Sequence, residues 1–472
     1  MKINQDKFNR QLEGIEKYKY SSQFGAKKDR SGTFHWFTGV GKTFAALTLI
    51  ERLGYSKVSV VVPTIPLFEQ WRTVIKVLKP HLEGIIGVYT AAYIVENKDK
   101  MKEVFDCELL IADELHMFYG TEYIKTIDGT YISFKDNLGL TATYYDMQGR
   151  EKELQHLYPI IDEIDEATAL DKGFISKYIE YNLHCPLNED EKEAYDKFTA
   201  IINANLPKFG KHKPLKLATL CLTGGMGTDG VPRKAMTWCA MWARKNGYHP
   251  DSRDDVWNPY KIMGYAKKLM DAIQRRKELL YTCASKVDYT LRIVDKFPKS
   301  KTIIFGESTE FADKVDLLLN ETTYGISVVY HSKLPTVMMP SPKTGKPIKF
   351  GQKKLRDRAI ERIKTGMSRV ICTASALDVG FDVEDMNLGI IASGNSNPNK
   401  RQQRGGRVKR VNTQSMFPDK ELVLLINLYV KDTKDEDWLR KSQKTKNPIW
   451  IDSIDELYYD PTGKKAFNIK DL

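Results

Sequence analysis

Two rhythms of apolar and polar positions alternate along the chain. Short runs that are apolar nearly throughout, at 58–62 and 109–112, are separated by segments with helical spacing of apolar residues, at 44–53 and 67–78. The first kind reads as strands buried on both faces and the second as amphipathic helices, which together predict a parallel sheet covered by helices. The alternation returns with strands at 302–305, 326–330, 369–372, 388–392 and 422–425 and helices at 311–319 and 354–364. Between the two blocks, 189–203 and 260–297 have helical spacing on either side of an irregular stretch. The pattern predicts an α/β chain with two similar parallel-sheet lobes, residues 1–180 and 299–430, a mostly helical and basic insertion at 181–298, and a polar tail at 431–472.

Composition changes this picture in three respects. Hydrophobic residues at 42% and charged residues at 28% of 472 positions are ordinary for a folded, soluble chain. No apolar run reaches the roughly 18 residues of a membrane span, and the polar start Met1-Lys2-Ile3-Asn4-Gln5 argues against a secretory signal. Lysine and arginine outnumber acids 73 to 61, a net +12 that suits a polyanionic partner or simply a soluble basic protein. The six cysteines form no CxxC pair, so free thiols in a reducing compartment are expected. A scattered set of His212, Cys221, Cys239 and His249 matches no familiar zinc spacing. Residues 208–249 hold eight Lys/Arg and one acid, Asp229, with Trp238, Trp242 and Tyr248 interleaved. Two readings stay open there: a nucleic-acid surface of cations and aromatics, or a helix with the tryptophans in its own core.

The strongest chemical signal is Phe37-Thr38-Gly39-Val40-Gly41-Lys42-Thr43. Gly39 and Gly41 let the backbone curl so that N–H groups face phosphate oxygens, and the following helix directs its positive end at them. Lys42 would reach the β and γ phosphates of ATP, and the Thr43 hydroxyl would ligate Mg2+. Such loops usually open with a small residue where this chain has Trp36. The second signal is the apolar run at 109–112 ending in Asp113-Glu114-Leu115-His116. Asp113 would hold Mg2+ through water and Glu114 would orient or deprotonate the attacking water.

With both motifs in place the chain resembles the superfamily 2 helicases and translocases, specifically the DExH kind, and the likeness runs through both blocks. This resemblance implies two RecA-like lobes that share one ATP and Mg2+. His116 then couples the second nucleotide motif to the rest of the machine, together with Thr141 and Thr143 in the segment 139–143. The segment 61–71 looks like the next family motif, and the resemblance places Pro63, Thr64, Thr90 and Thr373 on the nucleic-acid backbone. Residues 373–382 resemble a motif that touches both nucleic acid and nucleotide, the latter through Gly380 and Asp382. Gln403-Arg404-Gly405-Gly406-Arg407-Val408-Lys409-Arg410 matches the family's QRxGRxxR. There Arg407 and Arg410 would be arginine fingers and Gln403 would sit by the reacting phosphate, since guanidinium groups from across the cleft can grip phosphate oxygens bidentately. Arg10-Gln11 resembles an adenine-reading element, although Gln11 also fits an ordinary exposed glutamine.

The expected function is ATP-dependent unwinding or remodelling of branched DNA by stepping on one strand, most like compact phage recombination helicases. The expected protein is a cytoplasmic monomer, in the host cell if of phage origin, that makes no membrane contact. The alternatives are the motor subunit of a restriction system, for which no nuclease carboxylate-lysine cluster is visible, an RNA helicase, and a clamp using ATP only as a structural ligand.

Overall fold

The computed structural model of the chain describes residues 5–23, 29–120, 122–146, 148–227, 229–249, 256–340, 345–374, 386–394, 396–410, 422–443 and 447–458. Six strands, β1 (Ser31–Trp36), β2 (Val58–Val62), β3 (Ile86–Thr90), β4 (Cys107–Asp113), β5 (Phe134–Thr141) and β6 (Ile160–Ile164), form a parallel sheet in the order β3-β2-β4-β5-β1-β6. All five residues of β2 are buried, as expected of a strand covered on both faces. Around this sheet lie α1 (Gln5–Lys19), α2 (Lys42–Leu53), α3 (Ile65–Leu78), α4 (Ala91–Asn97), α5 (Lys102–Phe105) and α6 (Glu166–Asp171). Helix α3 buries Leu67, Trp71 and Ile75, one residue per turn along a single stripe. Helix α2 stops at Gly54, whose left-handed conformation caps it with an N–H bond to Ile50.

The chain then lays down β7 (Tyr178–His184), which joins the second sheet instead of the first. That sheet is also parallel, in the order β11-β14-β10-β15-β16-β7-β17. The expected boundary at residue 180 therefore falls inside a strand. Its other members are β10 (Thr302–Gly306), β11 (Ser327–Tyr330), β14 (Val370–Ala374), β15 (Leu388–Ile391), β16 (Val423–Tyr429) and β17 (Ile449–Ile451). A small antiparallel hairpin, β12 (Val337–Pro340) and β13 (Pro347–Phe350), follows β11. Helices α12 (Thr309–Thr322), α13 (Gln352–Lys364), α14 (Pro398–Val408) and α15 (Lys434–Ser442) complete this part. The expected α/β architecture of two parallel-sheet lobes is thus what the chain adopts. Part of the expected polar tail, β17, is an edge strand of the second sheet.

Residues 185–289 and 430–435 make a separate compact unit. It contains α7 (Glu189–Asn205), α8 (Pro214–Thr223), a two-residue hairpin of β8 (Gly225–Met226) and β9 (Pro232–Arg233), α9 (Ala235–Lys245), α10 (Pro259–Thr282) and the start of α11 (Ala284–Lys296). The stretch read as irregular holds α8 and α9. The single helical span expected over 260–297 is broken where Cys283 leaves the helical region at ψ 146°. The unit has its own apolar core of Ile202, Phe209, Ala218, Cys221, Cys239, Ala243 and residues of α10, against which Trp238 and Trp242 pack. Each indole donates to a backbone oxygen, Trp242 to Lys208 at 2.9 Å and Trp238 to Gly225 at 3.3 Å. The tryptophans are partly buried against this core, and Arg233 and Lys245 lie over their rings at 5.6 and 5.4 Å. Cys221 and Cys239 lie side by side in this core, Cys239 Sγ 3.4 Å from the Cys221 carbonyl oxygen, and both are free thiols. No cluster of metal-ligating side chains exists among the described residues. No described helix is long and apolar enough to cross a membrane.

One buried ion pair fastens this unit internally. Lys286 Nζ lies 2.6 Å from Asp435 Oδ2, with 0% and 4% of the two side chains exposed, and Asp435 also accepts the Val430 N–H at 3.0 Å. Burial alone would lower the Lys286 pKa, but Asp435 overrides it and the pKa is raised. Lys286→Met should strand the carboxylate and cost about 3–5 kcal/mol in urea denaturation of this unit, whereas Lys286→Met with Asp435→Leu should recover most of that loss.

Candidate functional site

In the first lobe the phosphate loop, the acid pair and the Thr141 segment leave β1, β4 and β5 at their carboxyl ends. Register brings them together: β5 lies between the other two, with His35 opposite Thr141 and Asp113 opposite Leu140. This is the edge of a parallel sheet where ligands are bound. The loop from Phe37 to Gly41 turns through two glycines at φ +93° and +94°, a region closed to most side chains. Gly41 caps α2 without any side-chain bond. The cap leaves early N–H groups of the helix available to an anion.

Helix α1 braces this loop. Gln11 Nε2 donates to Val40 O at 2.7 Å and Lys7 Nζ to Gly39 O at 2.6 Å. Gln11 is only 4% exposed, so it is not a surface glutamine. Trp36 stacks on Phe34, ring centroids 4.4 Å apart, and its indole N–H donates to Asp162 Oδ2 at 2.7 Å. The buried Asp162 also receives Arg10 through both oxygens at 2.8 and 3.0 Å, and Lys17. The unusual tryptophan thus ends β1 inside the core, and the loop opens after it. Sequence reasoning missed this node. Its signal was a carboxylate in the apolar run 160–164.

The acid pair is tightly constrained. Asp113 Oδ2 accepts the Trp71 indole N–H at 2.7 Å and Oδ1 the Glu114 backbone N–H at 3.0 Å. Burial, with Glu114 beside it, pushes the Asp113 carboxyl up to about 6. Glu114 adopts left-handed φ 52° and ψ 50°, a strained conformation for a non-glycine residue. Its Oε2 is buried without a hydrogen bond, 3.5 Å from His116 Nδ1. His116 Nδ1 lies 3.0 Å from Thr141 Oγ1, which also accepts the Thr143 N–H at 3.1 Å. On its other side, His116 Nε2 accepts from Gln403 Nε2 at 3.1 Å. Burial and the nearby Lys42 ammonium pull the His116 pKa down to about 4, so the ring is neutral, and the network assigns its proton to Nδ1.

Gln403 comes from α14 in the second lobe. Asn397 caps this helix through the Asn399 N–H, with Pro398 in its first turn. Arg404 is 1% exposed and structural: it pairs with Glu307 at 2.9 Å and donates to the Ser393 carbonyl at 3.0 Å. Arg407 sits one turn after Gln403 and is 8% exposed. The lobes approach closely here, since a side chain at Gly406 would place its Cβ 2.7 Å from Thr38 Cβ. Lys42, held 3.0 Å from the Trp36 carbonyl oxygen, has its pKa lowered by burial. Glu114 and Asp113 oppose that shift, while Arg410 and Arg407 add to it. All four charges therefore lie within electrostatic reach of Lys42.

Of the other expected residues, Thr43 lies in the first turn of α2. Pro63 and Thr64 follow β2, and Thr90 ends β3 opposite Val62. Thr64 Oγ1 and Thr373 Oγ1 are buried without hydrogen bonds. Thr373 lies on β14 in the second sheet. Gly380 and Asp382 lie outside the described residues.

A glycine loop and an acid pair on one parallel lobe are thus faced by an arginine-bearing helix from the other. Residues 5–91 match the family described as Type III restriction enzyme, res subunit, and residues 285–412 match the Helicase conserved C-terminal domain. Those two matches, one per lobe, are both to helicase families and support a place in helicase superfamily 2. It is similar to the DNA 3'-5' translocase XPB2 of Sulfurisphaera tokodaii, 26% identical over 430 residues, 86% of this chain and 80% of that protein. A shorter similarity, 21% over 184 residues, links it to the ATP-dependent RNA helicase DBP2 of Encephalitozoon cuniculi, covering 39% of this chain and 33% of that one. In fold it is similar to the Pyrococcus furiosus Hef helicase domain, with a TM-score of 0.51 at 15% identity, covering 94% of this chain and 100% of that one.

The close approach at Gly406 yields a test. Alanine normally favours a helix over glycine by about 1 kcal/mol. Gly406→Ala should nonetheless lower ATP turnover by about ten-fold or more, because the added methyl pushes the lobes apart. Calorimetry should show the melting temperature of the chain little changed.

Proposed function

We propose that the chain is an ATP-dependent DNA helicase or translocase that steps along one strand and remodels branched DNA such as forks and junctions. The observation that carries this reading is the convergence on Lys42 of Asp113 and Glu114 from one lobe with Arg407 and Arg410 from the other. Three cations beside two carboxylates suit a polyphosphate. The glycine loop, the uncapped start of α2 and the unbonded Glu114 Oε2 fit the same ligand. Lys42 and the loop N–H groups would bind the ATP phosphates, and Thr43 and Asp113 would hold Mg2+. When bound, the metal neutralises charge on the terminal phosphates. Glu114 orients the attacking water and takes its proton, while Arg407 and Arg410 stabilise charge on the transferring phosphoryl group. Gln403 reports this state to Thr141 through His116.

Closure around the nucleotide and opening after hydrolysis would alternate the grip on a strand. Pro63, Thr64 and Thr90 would hold it from one lobe and Thr373 from the other, through phosphates and so largely without regard to sequence. Gly380 and Asp382 complete the nucleotide contacts in this reading. Similarity to a DNA translocase over most of the chain supports DNA over RNA. Branched substrates and the cytoplasm of a host cell are part of this reading and rest only on the resemblance of the sequence motifs.

Glu114→Gln should retain ATP binding while turnover falls by about a hundred-fold or more. Steady-state hydrolysis beside nucleotide-binding titration separates the two, and loss of binding would contradict the assignment. Arg407→Ala should lower turnover far more than DNA affinity. Parallel unwinding assays on a forked DNA duplex, a four-way junction and a tailed RNA duplex test the substrate. Fastest action on the RNA would overturn the DNA reading.

A further inference from the structure

Trp71 is buried at 1% exposure on α3, and its N–H is one of two hydrogen bonds to the Asp113 carboxylate. Indoles here donate to a backbone oxygen, as Trp238 and Trp242 do, or to a structural carboxylate, as Trp36 does to Asp162. Trp71 donates to the acid of the second nucleotide motif. The same helix has Thr64 as its N-cap, beside the carboxyl end of β2. Val61 of β2 pairs with Ala112, so the start of α3 and Asp113 lie at the same end of neighbouring strands. The stripe of Leu67, Trp71 and Ile75 keeps this helix packed as one body. Trp71 stands seven residues from Thr64, about 10 Å along the axis at 1.5 Å per residue. A shift or tightening at the first turn therefore reaches the carboxylate through one rigid helix and one hydrogen bond.

Resting on the reading of the chain as a nucleic-acid motor, we propose that Trp71 is a positioning residue linking strand occupancy at the start of α3 to the setting of Asp113. A strand phosphate held at Pro63 and Thr64 fixes the helix. The indole then fixes the Asp113 carboxylate where it can serve Mg2+ and the terminal phosphates. The route lies within the first lobe and is separate from the Gln403–His116–Thr141 path between lobes.

The experiment measures ATP turnover by the full chain with and without a saturating single-stranded thymidine oligonucleotide. Trp71→Phe keeps most of the ring and removes the donor. It should cut strand-stimulated kcat by about ten-fold or more, with KM for ATP and oligonucleotide affinity within about two-fold, and should raise the Mg2+ concentration needed for half-maximal rate. Ile75→Ala, which loosens the same stripe but leaves the hydrogen bond, should stay stimulated. In the wild type, hydrogen exchange across 107–117 should slow when the oligonucleotide binds, a readout that does not depend on the variant folding. Full stimulation in Trp71→Phe, an equal proportional loss with and without strand, equal loss in Ile75→Ala, or exchange at 107–117 that ignores the strand would each overturn the assignment. A wild-type protein whose turnover ignores every strand would instead overturn the motor reading, and this inference with it.

Discussion

Lys42, Arg407 and Arg410 repel one another, while Asp113 and Glu114 draw Lys42 the other way. Like charges drawn from two lobes are held together at lower cost when something negative lies among them. Burial sharpens the constraint, since Lys42 pays in its own basicity for leaving water. A polyphosphate placed among them would relieve that repulsion, and its departure would restore it. The two parallel sheets serve mainly to bring these groups within electrostatic reach of one another.

The neutral state of His116 belongs to the same constraint. An imidazolium would add a fourth cation beside Lys42. As a neutral ring, His116 instead donates on one side and accepts on the other, and so bridges Thr141 and Gln403. One side chain thus joins the acid motif, the segment after β5 and the arginine helix. Gln403 can be replaced in this role only by a group that donates to Nε2.

The phosphate loop, the acid pair and the arginine helix were legible because their chemistry dictates both residue type and spacing. Glycines suit the loop positions where φ is near +90°, and acids end an apolar strand. The parallel sheets were legible for a similar reason, since strands buried on both faces, such as β2, are apolar throughout. Supporting contacts were not. Nothing local tells that Trp36 answers Asp162, more than a hundred residues away, or that Trp71 answers Asp113. Strand β7 was assigned to neither sheet, because its mixed sequence alternates Tyr and Glu with apolar residues and the pairing partner β16 lies far downstream. In the insertion, cations and tryptophans fit two surfaces equally well until α8 and α9 showed which faces pack inward. Gln11 illustrates the middle case: its position ahead of the loop was readable, but its bond to Val40 required the fold.

The short strand β17 is the outermost member of the second sheet, and only three residues of it pair with β7. Its removal would uncover the backbone donors and acceptors of β7, a longer strand with a mostly buried face. An uncovered edge of that kind recruits strands from other molecules. Strand β17 therefore covers the edge of β7 from Tyr181 to Leu183.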